Sequence, residues 1–278
     1  MDHTLEDFDR GLAFDIGRVV QRRQALKMLA GGCALAFLAA CGASSKDSTA
    51  TTSPSTGATT AATTGDTTGT TECTTAVPSE TGGPFPGDGS NGPNALADPA
   101  VIREDITGSF GDFVGVAQGV ATTIKLTVLD SANGCQPLAG GAVYLWHADK
   151  DGRYSMYTAP DANYLRGVGE ADANGTVTFQ SIWPGCYDGR WPHIHFEVYP
   201  SIDDALGTAH LIKTSQIAMP EAECKLVYAA SGYEASVSNL TRVSLATDNV
   251  FSDGWDQELG AATGSNETGW TVALTITV

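Results

Sequence analysis

The stretch 186-CYDGRWPHIHFEVYP-200 places a phenol, a guanidinium and two imidazoles within nine residues, Tyr187 to His195. Side chains alternate across a strand, so His193 and His195 would share one face while Ile194, Phe196 and Val198 take the other. Two imidazoles at i and i+2 point the same way, about 7 Å apart along the backbone, and can bind one ion. A strand carrying histidines on its solvent face would account for the same pair. Pro192, immediately before it, suits a strand start or an edge.

No cysteine pair or HExxH spacing accompanies the histidines, which disfavours a zinc site of known spacing. The neighbouring hard donors are phenols. Tyr187 lies six residues before His193, and Tyr154 closes the turn 151-DGRY-154 after the strand-like 142-AVYLWHA-148. Two tyrosinates with two neutral imidazoles favour Fe(III) over Fe(II), because anionic oxygens stabilise the higher charge. Each residue also has a plainer reading: Tyr154 as a rim tyrosine, Tyr187 as a core residue beside a Cys186 disulfide. A hydrolase or a copper protein could use the HxH as well.

The elements that must hold these groups read as β throughout residues 77–278. Strand-like runs recur at 122-TTIKLTVLD-130, 142-AVYLWHA-148, 175-GTVTFQSI-182, 193-HIHFEVY-199, 209-AHLIKTSQIAM-219 and 270-WTVALTITV-278. Turn signals punctuate them at Asn133-Gly134, Asp151-Gly152, Asn174-Gly175, Pro184-Gly185 and Asp253-Gly254. Only 221-EAECKLVYAA-230 could form a helix, and a short one. The pattern predicts an all-β fold, a single β-sandwich with long connecting loops.

Upstream, the chain changes character twice. Arg22 and Arg23 precede an apolar run, residues 28–40, too short to span a bilayer. The run ends in 38-LAAC-41, which resembles a bacterial lipobox, and the arginine pair with Leu26 and Lys27 resembles a twin-arginine export signal. Residues 1–40 therefore read as an export signal, with Cys41 lipidated at a membrane surface of the bacterial cell envelope. Residues 41–76, rich in Ser, Thr and Ala, bury too little surface to offset ordering entropy and read as a flexible tether. Cys73, Cys135, Cys186 and Cys224 remain in the exported body, enough for two disulfides of open pairing. The net charge of −17 over 278 residues disfavours nucleic acid as a partner.

Four segments in order, 144-YLWHADKDGRYSMY-157, 164-YLRG-167, 184-PGCYDGRWPHIHF-196 and 247-TDNVFSDG-254, resemble the intradiol ring-cleavage dioxygenases. The resemblance runs from about residue 80 to the C-terminus and is closest to the secreted, single-domain branch. It implies one non-haem Fe(III) per chain held by Tyr154, Tyr187, His193 and His195. It further implies Arg190 beside the substrate and Gln216 shaping the pocket. An aromatic diol and O2 would be the substrates and a muconate-type dicarboxylate the product, with Tyr187 as base. The same resemblance would fit a non-catalytic lipoprotein that binds iron or aromatic compounds. One departure stands out. The soluble enzymes carry an insertion between the second tyrosine and the HxH, whereas here only 188–192 intervene, so the diol is left open. Tyr144, Trp146, Tyr157, Tyr164 and Trp183 read as core or pocket wall, His147 as structural, and His210 as a strand residue without a nameable partner.

Overall fold

The computed structural model describes residues 75–278. The expected export signal, lipidated Cys41, Cys73 and all of the tether but residues 75 and 76 lie outside the described residues. Among the described residues no helix is long and apolar enough to cross a membrane. They form nine strands: β1 (Ala121–Asp130), β2 (Gln136–Pro137), β3 (Ala142–Trp146), β4 (Arg166–Glu170), β5 (Thr176–Ile182), β6 (His193–Tyr199), β7 (Lys213–Ala218), β8 (Ala261–Ser265) and β9 (Gly269–Thr277).

One sheet runs β2-β1-β9-β8, with β5 also paired to β1; the other runs β4-β3-β6-β7. All pairings are antiparallel except β1 with β9. The alternation in β1 sends Ile124, Leu126 and Val128 inward, where they join Val143 and Leu145 of β3 and Ile194, Phe196 and Val198 of β6. Each such side chain contributes about 1.5–3 kcal/mol relative to exposure.

The expected all-β sandwich is corrected by three α-helices among the described residues, which make the fold mixed α and β: α1 (Ile202–Leu206), α2 (Glu221–Val227) and α3 (Glu234–Leu240). Ser201 caps α1 by accepting from Asp204 N, with Asp203 and Asp204 in the first turn. α2 follows Pro220, carries acids in its first turn and Lys225 in its last, and buries Cys224 and Val227 in the shared core. α3 buries Ser236, whose hydroxyl accepts from Cys186 N beside Tyr187. α2 lies in the stretch 221–230 expected to form a short helix, whereas α1 and α3 span two turns or fewer, too short for a 3.6-residue period to register in sequence.

The expectation of two disulfides is also corrected. Cys135 is disulfide-bonded, but Cys186 and Cys224 are buried free thiols. Burial pushes the Cys186 thiol up to about 12, and its sulfur donates to Arg190 O at 3.5 Å.

β6 is buried along its whole length because both faces are covered. One face packs on the other sheet. The opposite face, with His193 and His195, lies beneath an N-terminal arm, residues 80–96. Glu80 N donates to Thr214 O at 2.9 Å and Gln216 Nε2 to Thr81 O at 2.8 Å, which fastens the arm to β7. Arg166, 1% exposed, donates to Phe85 O, Pro86 O, Ser155 O and Ser155 Oγ, tying the arm to the loop that carries Tyr154.

Candidate metal centre

His193 opens β6 directly after Pro192, and the alternation there places His193 and His195 on the arm-covered face. His193 Nδ1 lies 2.5 Å from Trp191 O. A carbonyl only accepts, so Nδ1 carries the proton and Nε2 keeps its lone pair, as a metal ligand requires. His195 pairs across the sheet with Trp146 on β3 and Gln216 on β7. Its ring stacks on the Trp146 indole at 4.9 Å and 2° between planes, which fixes its orientation.

The two tyrosines come from loops. After β3 the chain turns on Asp149, whose Oδ1 accepts from Asp151 N and Arg153 N. Tyr154 N then donates to Thr158 Oγ1, and the phenol points back at the histidines. The Tyr187 loop crosses this turn at Gly152. A Cβ there would stand 2.8 Å from Tyr187 Cβ, and the backbone has φ +80°, so glycine is required on both counts. On the arm, Gly83, with φ +71°, passes so close that a Cβ would meet His195 Cε1 at 3.3 Å.

The four expected ligands are thereby brought together. Tyr154 Oη lies 3.2 Å from His193 Nε2, 3.2 Å from His195 Nε2 and 3.5 Å from Tyr187 Oη. Tyr187 Oη is 3.3 Å from His193 Nε2, and the two Nε2 atoms are 3.1 Å apart. Donors about 2.0–2.2 Å from one ion in a tetrahedral arrangement are separated by roughly 3.3–3.6 Å, so the observed set fits a single small cation. Among the described residues no group of three or more His, Cys, Asp or Glu could hold a metal ion. Half of the donors in this set are phenols.

The electrostatics agree with that use. Burial, reinforced by Arg190, holds both imidazoles well below their usual pKa and therefore neutral; for His195 the neighbouring His193 adds to this. Burial, then Tyr187, raises the Tyr154 phenol well above its ordinary value. A phenol so placed gives up its proton only to a strong local positive charge, which a trivalent ion supplies.

Arg190 is 7% exposed. Its Nε donates to Asp248 Oδ2 at 2.9 Å and its Nη2 to Gln216 Oε1 at 2.7 Å, while Nη1 stands 3.5 Å from His193 Nε2. Gln216 therefore touches Arg190 directly. Phe85 packs at 5.0 Å from the Tyr154 ring and closes one side of the site. His147 is structural, between Ala148 O and Ser181 Oγ. His210 lies before β7 rather than within it and pairs with Asp204 at 2.7 Å. Sequence reasoning missed Asp248 and the arm. Asp248-Asn249 ahead of apolar Val250-Phe251 is a turn-capping signal, but nothing in it names an arginine 58 residues away.

A protein-family model described as Dioxygenase matches residues 92–216, an interval holding all six expected site residues. The solved structure of an intradiol ring-cleavage dioxygenase from Tetranychus urticae is 26% identical, covering 63% of this chain and 85% of that one, with a TM-score of 0.52. A second solved structure, described as a dioxygenase, is 25% identical over the same shares, with a TM-score of 0.50. No curated protein matches the sequence. The chain thus has an intradiol ring-cleavage dioxygenase-like fold.

Proposed function

We propose that this chain is a non-haem, Fe(III)-dependent dioxygenase that opens a catechol-type diol between its two hydroxyl-bearing carbons, placing both atoms of O2 in a muconate-type dicarboxylate. The observation that carries the reading is the convergence of Tyr154, Tyr187, His193 and His195 on one point with the Arg190 guanidinium beside it. Similarity to intradiol dioxygenases supports the general reaction type. Bound there, a ferric ion would draw electron density from the diol and allow the ring to react with O2 directly.

The chain's own residues divide the remaining work. Tyr154 contacts both imidazoles and is 2% exposed, so it is built to stay in place. Tyr187 is only half-buried, and its hydroxyl meets Tyr154 and His193. It is the phenolate that would take a proton from a diol hydroxyl. The neutral imidazoles add no charge to that proton's path. Arg190 stabilises negative charge developing on the ring, beside imidazoles and a Tyr154 phenol that are each 2% exposed. No reductant or organic cofactor enters this scheme.

The test is oxygen uptake by iron-loaded protein with catechol, hydroxyquinol and protocatechuate. Uptake with at least one diol, matched by a ring-opened dicarboxylate, is expected. No uptake with any of them would leave a binding protein in its place.

The export reading stands beside this as a separate proposal, resting on 22-RR-23 and 38-LAAC-41 alone. Cells fed a labelled fatty acid should label the chain, and Cys41→Ser should not take up label; equal labelling would remove the lipid anchor.

A further inference from the structure

The reading above gives Arg190 its task, and on that reading we propose that Asp248 is the positioning residue that aims Arg190 at the diol. Asp248 is fully buried, with no exposed surface. Its Oδ2 accepts from Arg190 Nε at 2.9 Å and from Trp191 N at 2.7 Å. Its Oδ1 accepts from Val250 N at 2.8 Å and Phe251 N at 3.2 Å. Three of those four donors are backbone groups, so the carboxylate is fixed before the arginine is considered. Gln216 forms the opposite jaw: Oε1 accepts from Arg190 Nη2, and Nε2 is itself spent on Thr81 O.

A guanidinium is a planar fork. With Nε held on one side and Nη2 on the other, its plane cannot swing, and the edge left over is Nη1, which faces the four-donor centre. Asp248 also supplies the compensating charge. An unpaired buried cation would be strongly disfavoured, and a water-exposed arginine would act weakly on charge developing at the ring. Gln216 alone supplies a dipole where a full negative charge is needed. The carboxylate is thus what keeps a buried, charged and aimed arginine in the site.

The test compares the native chain with Asp248→Asn, Arg190→Lys and the double variant. In metal-free protein carrying 15N-arginine, the Arg190 Nε–H resonance, identified by its loss in R190K, should be protected from solvent exchange. D248N should exchange it at least about ten-fold faster, since buried hydrogen bonding is what protects such groups. After iron loading, D248N should keep its iron and a KM within about three-fold, while kcat falls about 10- to 100-fold, as for a misplaced catalytic group. The double variant should turn over within about two-fold of R190K, because both changes act through one group. Unchanged Nε–H exchange, or losses that multiply in the double variant, would overturn the proposal. Faster exchange in D248N alongside a native enzyme inactive on every diol would support the clamp while overturning the reaction. Should D248N fail to fold, Asp248→Ser keeps a cap for Val250 N and Phe251 N and withdraws from Arg190, with the same outcomes expected.

Discussion

Tyr154 and Tyr187 are chemically identical and sit differently. Tyr154 is buried against both imidazoles, whereas Tyr187 stands in a half-buried loop and meets one. Tyr187→Phe should therefore keep iron near one per chain while kcat falls about 100-fold, the range for loss of a general base; iron analysis beside steady-state turnover checks it, and unchanged turnover would remove Tyr187 from the mechanism. Tyr154→Phe should instead lose iron, as the same metal analysis would show. At this scale the sequence was informative because the chemistry is local. His193 and His195 share a face by strand periodicity alone, and Tyr187 and Arg190 lie within eight residues of them. Asp248 was not legible as a partner, because a turn-capping aspartate looks the same whether or not its second oxygen meets an arginine.

The four proposed ligands depend on elements meeting where only certain residues fit. Gly152→Ala forces a left-handed backbone and a 2.8 Å contact with Tyr187 Cβ, so the two tyrosine-bearing loops must part. The expected cost is about 1–3 kcal/mol together with weaker iron retention against a chelator, measurable by melting and by iron release. Arg166→Met leaves the carbonyls of Phe85 and Ser155 without their donor, while Pro86 O keeps the Tyr144 hydroxyl. At about 1–3 kcal/mol for each buried unsatisfied group, the loss should be about 2 kcal/mol or more in denaturant unfolding, and the arm should become open to proteolysis. β1, β3, β5 and β6 were legible because their alternation or apolar runs are strong. β4 was not: Gly167 and Gly169 stand where a Cβ would strike Ile106 and Val177, so packing removed the side chains that would have marked the strand. Of the helices, α2 falls within 221–230, where a short helix was expected; α1 and α3 escaped for a related reason, since tertiary burial of Ala205 and Ser236, and not a long apolar stripe, accompanies them.

At the scale of the whole described chain, a buried carboxyl outside the candidate metal centre, Glu258, is held at a cost. Glu258 is fully buried; its Oε1 meets Ser215 Oγ and its Oε2 has no partner. Burial first, and Glu80 second, push its carboxyl up to about 8 from an ordinary 4.5. The folded state therefore holds this proton more tightly than the unfolded chain. Its contribution is fully present below about pH 4.5 and is lost as pH rises through about 8. Thermal stability should fall between those limits, and Glu258→Gln should flatten that fall; an unchanged profile would place the titration elsewhere. The net charge of −17 adds a salt dependence through self-repulsion, not a site.

The central claim, that two phenolates and two imidazoles of this chain hold a ferric ion, is tested most directly by the visible spectrum of the purified protein with its metal content. The account predicts about one iron per chain and a red-brown tyrosinate-to-iron charge-transfer band, absent when both Tyr154 and Tyr187 are phenylalanine. A colourless protein carrying stoichiometric zinc would contradict it.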